Sequence, residues 1–69
     1  MPVLNSIELE GVSSIGWDDA AQDAVREAGR TLRRIMRLDV LAVGVGVDAE
    51  GEREYRTTIR LFFEVDRQP

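Results

Sequence analysis

Hydrophobic and polar positions along the chain fall into four stretches. Residues 3–10 alternate, with Val3, Asn5, Ile7 and Leu9 on one side and Leu4, Ser6, Glu8 and Glu10 on the other. That period predicts a half-buried strand over about 3–10, with Asn5 a polar lapse on its apolar side. The run Gly11-Val12-Ser13-Ser14-Ile15-Gly16 breaks the alternation, and Ser14 or Gly16 can cap a following helix. Asp18 and Asp19 then fall in a first turn, where the helix dipole favours negative charge. Trp17, Ala20, Ala21, Ala24, Val25, Ala28, Leu32 and Ile35 recur at helical spacing and predict an amphipathic helix over about 16–35. Gln22, Asp23, Arg26, Glu27, Arg30, Arg33 and Arg34 make its polar face, with Arg30, Arg33, Arg34 and Arg37 toward the cation-favouring C-terminal end. An alanine-rich face lets this helix approach a sheet closely. Gly29 is unfavourable in a helix interior by about 1 kcal/mol and marks either a close contact or a tolerated lapse.

Two long strands follow, over about 38–48 and 52–65, joined by the turn-forming sequence Asp48-Ala49-Glu50-Gly51. In the first, Leu41, Val43, Val45 and Val47 share one side, and Val40, Ala42, Gly44 and Gly46 the other. In the second, Tyr55, Thr57, Ile59, Leu61, Phe63 and Val65 alternate with Glu54, Arg56, Thr58, Arg60, Phe62 and Glu64. The order strand–helix–strand–strand predicts an α+β domain, in which a hairpin is joined by the first strand and one helix packs on one face. A four-residue hairpin loop would set Val43 opposite Arg56 and leave the valine stripe on the helix-free face. A loop one residue longer or shorter reverses the faces. Either way the sheet presents more apolar surface than one helix covers, which calls for a second copy of the chain.

Length sharpens that expectation. Sixty-nine residues make one domain, 1–69, too small to be comfortably stable alone. With no cysteine and no histidine, disulfides and the usual zinc ligands are excluded, which leaves oligomerisation as the source of stability. A formal charge of −4 argues against nucleic-acid binding. No apolar run approaches the roughly 20 residues that cross a bilayer, and Met1-Pro2-Val3-Leu4-Asn5 lacks the features of a signal peptide. The expected location is the cytoplasm.

No catalytic set is visible. Ser6, Ser13 and Ser14 have neither histidine nor lysine to activate them, and Gly44-Val45-Gly46 lacks the spacing of a phosphate-binding loop. The chain is therefore read as a non-enzyme. Asp48, Glu50, Glu52 and Glu54 could offer oxygen ligands to calcium or another divalent cation, but their spacing matches no calcium loop and suits a solvated turn better. No metal ligand is assigned. Trp17, Tyr55 and Phe63 are read as core. At Arg37 and Arg56 a planar guanidinium can stack on an aromatic ring or clamp an anion, and each also suits an ordinary surface position.

The segment Val12-Ser13-Ser14-Ile15-Gly16-Trp17-Asp18-Asp19-Ala20, the helix ending Thr31-Leu32-Arg33, and the strand from Glu54-Tyr55-Arg56 to Phe63-Glu64-Val65 resemble the dodecin family over about Ser6 to Asp66. The resemblance implies a β-α-β-β fold, with a three-stranded antiparallel sheet wrapped around one helix, assembled as a hollow homododecamer. It also implies a non-catalytic protein that binds, stores and protects riboflavin or FMN. In flavin-binding dodecins a tryptophan after the helix stacks on the ring and a glutamine on the last strand bonds its edge. Here those positions match Arg37 and Arg56, and an acidic residue on the second strand matches Ala42. The ligand positions carried over are Arg37, Arg56 and Val45. Two readings follow: Arg37 stacks on the flavin and Arg56 donates to its carbonyls, or flavin is lost and the shell takes calcium or an anion such as coenzyme A or a nucleotide.

Overall fold

The computed structural model describes residues 3–65. Met1 and Pro2, which carry part of the signal-peptide reading, and Asp66, where the family resemblance ends, lie outside the described residues. The elements are β1 (Leu4–Ser13), α1 (Trp17–Ala28), β2 (Ile35–Val47) and β3 (Arg53–Glu64). They form the expected α+β arrangement. The sheet order is β1-β3-β2, with both neighbours antiparallel to the central β3.

Three boundaries differ from the sequence pattern: the end of β1, the end of α1 and the start of β2, which lies at Ile35 rather than about 38. β1 does not stop near residue 10. It continues to Ser13, because Val12 and Ser13 still pair with Arg56 and Tyr55. This carries Gly11 beneath the helix, where a Cβ would fall on the Ala20 carbonyl, so only glycine lets α1 cross the strand at this depth. Gly16 is the N-cap and its carbonyl accepts the Ala20 N–H at 3.0 Å. The turn before it is held by Ser13, whose hydroxyl accepts the Ile15 N–H at 2.9 Å and donates to Asp19 at 2.7 Å.

The helix also ends earlier than the expected residue 35. Gly29 caps it, and the N–H groups of Arg30 and Thr31 turn back to the carbonyls of Glu27 and Ala28. Arg34 then enters the left-handed region at φ 55° and redirects the chain into β2. Leu32 and Ile35 keep the helical spacing yet leave the helix. Both still pack against the core, Ile35 from a strand position opposite Phe63. Arg30, Arg33, Arg34 and Arg37, expected toward the helix C-terminus, all fall beyond its end, and the basic residue of its last turn is Arg26.

The register reverses the faces given by a four-residue loop. The hairpin connection is residues 48–52, Val47 pairs with Arg53, and Gly44 rather than Val43 stands opposite Arg56. Val43 and Val45 therefore share the helix side of the sheet with Thr57 and Tyr55, while Gly44 and Gly46 lie on the helix-free side. Irregularities between Ile35 and Arg37 and between Val40 and Ala42 leave Met36 and Leu41 as extra residues. The second moves Val40 onto the valine side, as its pairing with buried Ile59 shows. Such bulges bend and twist a strand, which lets the sheet curve around the helix.

The helix packs on β1 and β3. Ala21, Ala24 and Ala28 meet Ile59 and Leu61 in a thin core, while Ala20 is buried over Gly11 and Thr57 is buried and donates to the Trp17 carbonyl at 2.8 Å. β2 extends past this cover, and none of its thirteen residues is buried. Val43, Val45 and Val47 are 54%, 47% and 67% exposed. Trp17, expected in the core, is 43% exposed. It sits edge-on to Tyr55 with ring centroids 5.5 Å apart, and its Nε1–H donates to the Gly44 carbonyl at 2.9 Å, tying the helix start to β2.

Candidate functional site

The helix-free face is built by the strand positions that alternate away from α1. Arg56, Thr58, Arg60 and Phe62 lie along β3. Glu8 and Glu10 flank them from β1, and Arg37, Asp39, Ala42 and Gly44 from β2. Charges on this face are cross-paired. Arg60 reaches Glu8 at 3.2 Å, and Arg56 reaches Glu54 at 2.8 Å and Glu10 at 3.7 Å. These pairs are exposed, so each contributes at most about 1 kcal/mol.

Arg37 is held differently. It stands opposite Phe62, and its guanidinium carbon lies 3.8 Å from the centre of the Phe62 ring. The Asp39 carboxylate is 3.6 Å from Arg37 Nε, close enough for attraction but too far for a hydrogen bond. The result is a planar cation lying over an aromatic ring, with its second face turned away from that ring.

The three residues carried over from sequence are not brought together within one protomer. Arg37 and Arg56 share the helix-free face. Their positions are separated by six residues along β3, from Phe62 to Arg56, which is about 20 Å at the rise of a strand. Val45 pairs with Tyr55 and belongs to the opposite, helix-side face. An open groove of about 520 Å³ runs beside Arg56, between Val12, Ser14, Gly46 and Glu54. It contains no residue of the Arg37 platform.

The acidic hairpin end is accounted for by the turn. The Asp48 carboxylate accepts the N–H groups of Glu50 at 3.0 Å and Glu52 at 2.8 Å, and Gly51 adopts φ 79° to close the connection. Glu54 is occupied by Arg56. Among the described residues, no group of three or more acidic, histidine or cysteine side chains is placed to hold a metal ion.

Phe62 and Asp39 were missed by sequence reasoning. Phe62 carried a usable signal, being the one aromatic on the polar side of β3. Its partner depends on the pairing register, which the sequence left open.

The family model described as Dodecin matches residues 3–66. The chain belongs to the dodecin family. Dodecins are small-ligand-binding proteins, and the fold here is the dodecin fold. A single-site variant of the Thermus thermophilus dodecin is 27% identical, with a TM-score of 0.89 over 97% of this chain and 100% of that one. A Mycobacterium tuberculosis protein described as a calcium dodecin with a novel calcium-binding site is 29% identical, with a TM-score of 0.86 over 97% of each chain. The dodecin of Streptomyces coelicolor, at 24% identity and a TM-score of 0.89 over 97% of this chain and 96% of that one, shares the fold. None of the curated proteins matches the chain. No helix among the described residues is long and apolar enough to cross a membrane.

Proposed function

We propose that this dodecin is a non-catalytic cytoplasmic protein that assembles as a hollow dodecamer and binds riboflavin or FMN for storage and protection. The observation that carries the reading is the Arg37 platform. A guanidinium lying over Phe62 at 3.8 Å presents a flat outward surface of the kind a planar ring can stack on. Arg56 supplies N–H donors suited to ring carbonyls, although Glu10 and Glu54 already engage it and compete with a ligand. Because about 20 Å of strand separates the two arginines, one flavin ring meets both only if they come from different copies. The site therefore depends on assembly. When bound, the flavin would supply a redox-active ring, with Arg37 stacking on it and Arg56 bonding its edge.

The rival reading is a shell that has lost flavin and takes calcium or an anionic ligand such as coenzyme A or a nucleotide. Its support is the likeness to the calcium dodecin and the pairing of Arg56 with carboxylates. Titration of riboflavin or FMN with the assembled protein separates the two. Quenching of flavin fluorescence at micromolar protein is the expected result, with Arg37→Ala weakening it roughly tenfold and Arg26→Ala leaving it unchanged. Absence of quenching favours the rival, and equal effects of the two variants remove Arg37 from the site.

A further inference from the structure

The stacking group in this site is a full cation, and that has consequences for the state of the ligand as well as its shape. The Arg37 guanidinium carbon lies 3.8 Å from the centre of the Phe62 ring, so the aromatic side chain supports the cation from one side. The Arg37 side chain has an ion-pair contact at 3.6 Å with the half-exposed Asp39 carboxylate, too long for a hydrogen bond. Neighbouring acids are engaged elsewhere: Glu64 holds Arg34 at 2.6 Å, and Glu8 holds Arg60, which itself stands opposite Asp39. Arg56, by contrast, is already matched by Glu10 and Glu54. Arg37 is thus the arginine of the pair whose charge is least neutralised by its own protomer.

A cation is attracted to an electron-rich ring and gains nothing comparable from an electron-poor one. The oxidised isoalloxazine is neutral and electron-poor. Its two-electron reduced form is electron-rich and, at neutral pH, carries a negative charge on the pyrimidine end. Charge placed near that end tunes a flavin's electronics. A neutral aromatic stacker favours the oxidised ring; a guanidinium reverses the preference, and exclusion of water on stacking strengthens it.

We propose that the Arg37–Phe62 pair makes this site select the reduced, anionic state of a flavin over the oxidised state, so that binding raises the ligand's midpoint potential. This rests on the flavin reading above and assigns Phe62 as a positioning residue for Arg37.

The test is anaerobic equilibrium dialysis of the assembled full-length protein against FMN, oxidised in one series and dithionite-reduced in the other. The reduced form is expected to bind at least tenfold more tightly, which corresponds to a potential raised by about 30 mV for a two-electron couple. Arg37→Trp should restore a preference for the oxidised form, Arg37→Gln should abolish the preference, and Phe62→Leu should narrow it while leaving binding measurable. Arg37→Gln keeps the test decisive where the tryptophan variant does not assemble. Equal affinities for the two states, or a ratio unchanged in either Arg37 variant, overturn the redox preference and leave flavin binding standing. Failure to bind either state removes both.

Discussion

Gly11 and Phe62 show what a single residue decides here. Gly11 sits where α1 crosses β1, and a methyl group at that point meets helix backbone rather than a movable side chain. Gly11→Ala is expected to destabilise the protein by about 1–3 kcal/mol, the usual range for overpacking, read as a lowered urea midpoint. An unchanged midpoint would show that the helix lies farther from the strand than described. In the sequence Gly11 read only as a pattern breaker, because a glycine that ends a strand and one that admits a helix look alike until the crossing is known. Phe62 was legible as an oddity, an aromatic among Arg56, Thr58, Arg60 and Glu64. Arg37 was legible as a candidate through its place after the helix. Their contact was not, because it depends on a pairing register that shifts at Met36.

At the scale of elements, the sequence period identified every strand and the helix but misplaced their ends. Leu32 and Ile35 continue the helical spacing, yet Ile35 gains a strand partner in Phe63 and Leu32 reaches the core from the turn. Tertiary pairing outweighs a helical preference of a few tenths of a kcal/mol per residue. The hairpin was legible from Asp48-Ala49-Glu50-Gly51, but not the fifth loop residue, Glu52, which decides the faces of the sheet. That residue is recruited because the Asp48 carboxylate accepts both the Glu50 and Glu52 N–H groups. Asp48→Ala should therefore cost about 1–2 kcal/mol through the loss of these bonds, by the same amount with and without added calcium. A loss seen only when calcium is present would assign Asp48 to a cation site.

The whole molecule is too open to be a finished unit. Its radius of gyration is 14.4 Å, against about 11 Å for a compact domain of this length. Most of the buried apolar core is alanine, and β2 carries Leu38, Val40, Val43, Val45 and Val47 largely uncovered beside the helix. The sequence made this excess of apolar sheet plain, together with the lack of disulfides. It could not show that the stripe lies on the helix side, past the edge of the helix's cover. An apolar stripe of this length along an edge strand is an aggregation hazard unless other copies close over it, and the separation of Arg37 from Arg56 gives the proposed ligand site the same requirement. The mass of the purified full-length chain, measured by light scattering at micromolar concentration, tests this most directly. The expected result is a single dodecameric species that Val43→Glu breaks down; a folded, soluble monomer of the unaltered chain would contradict it.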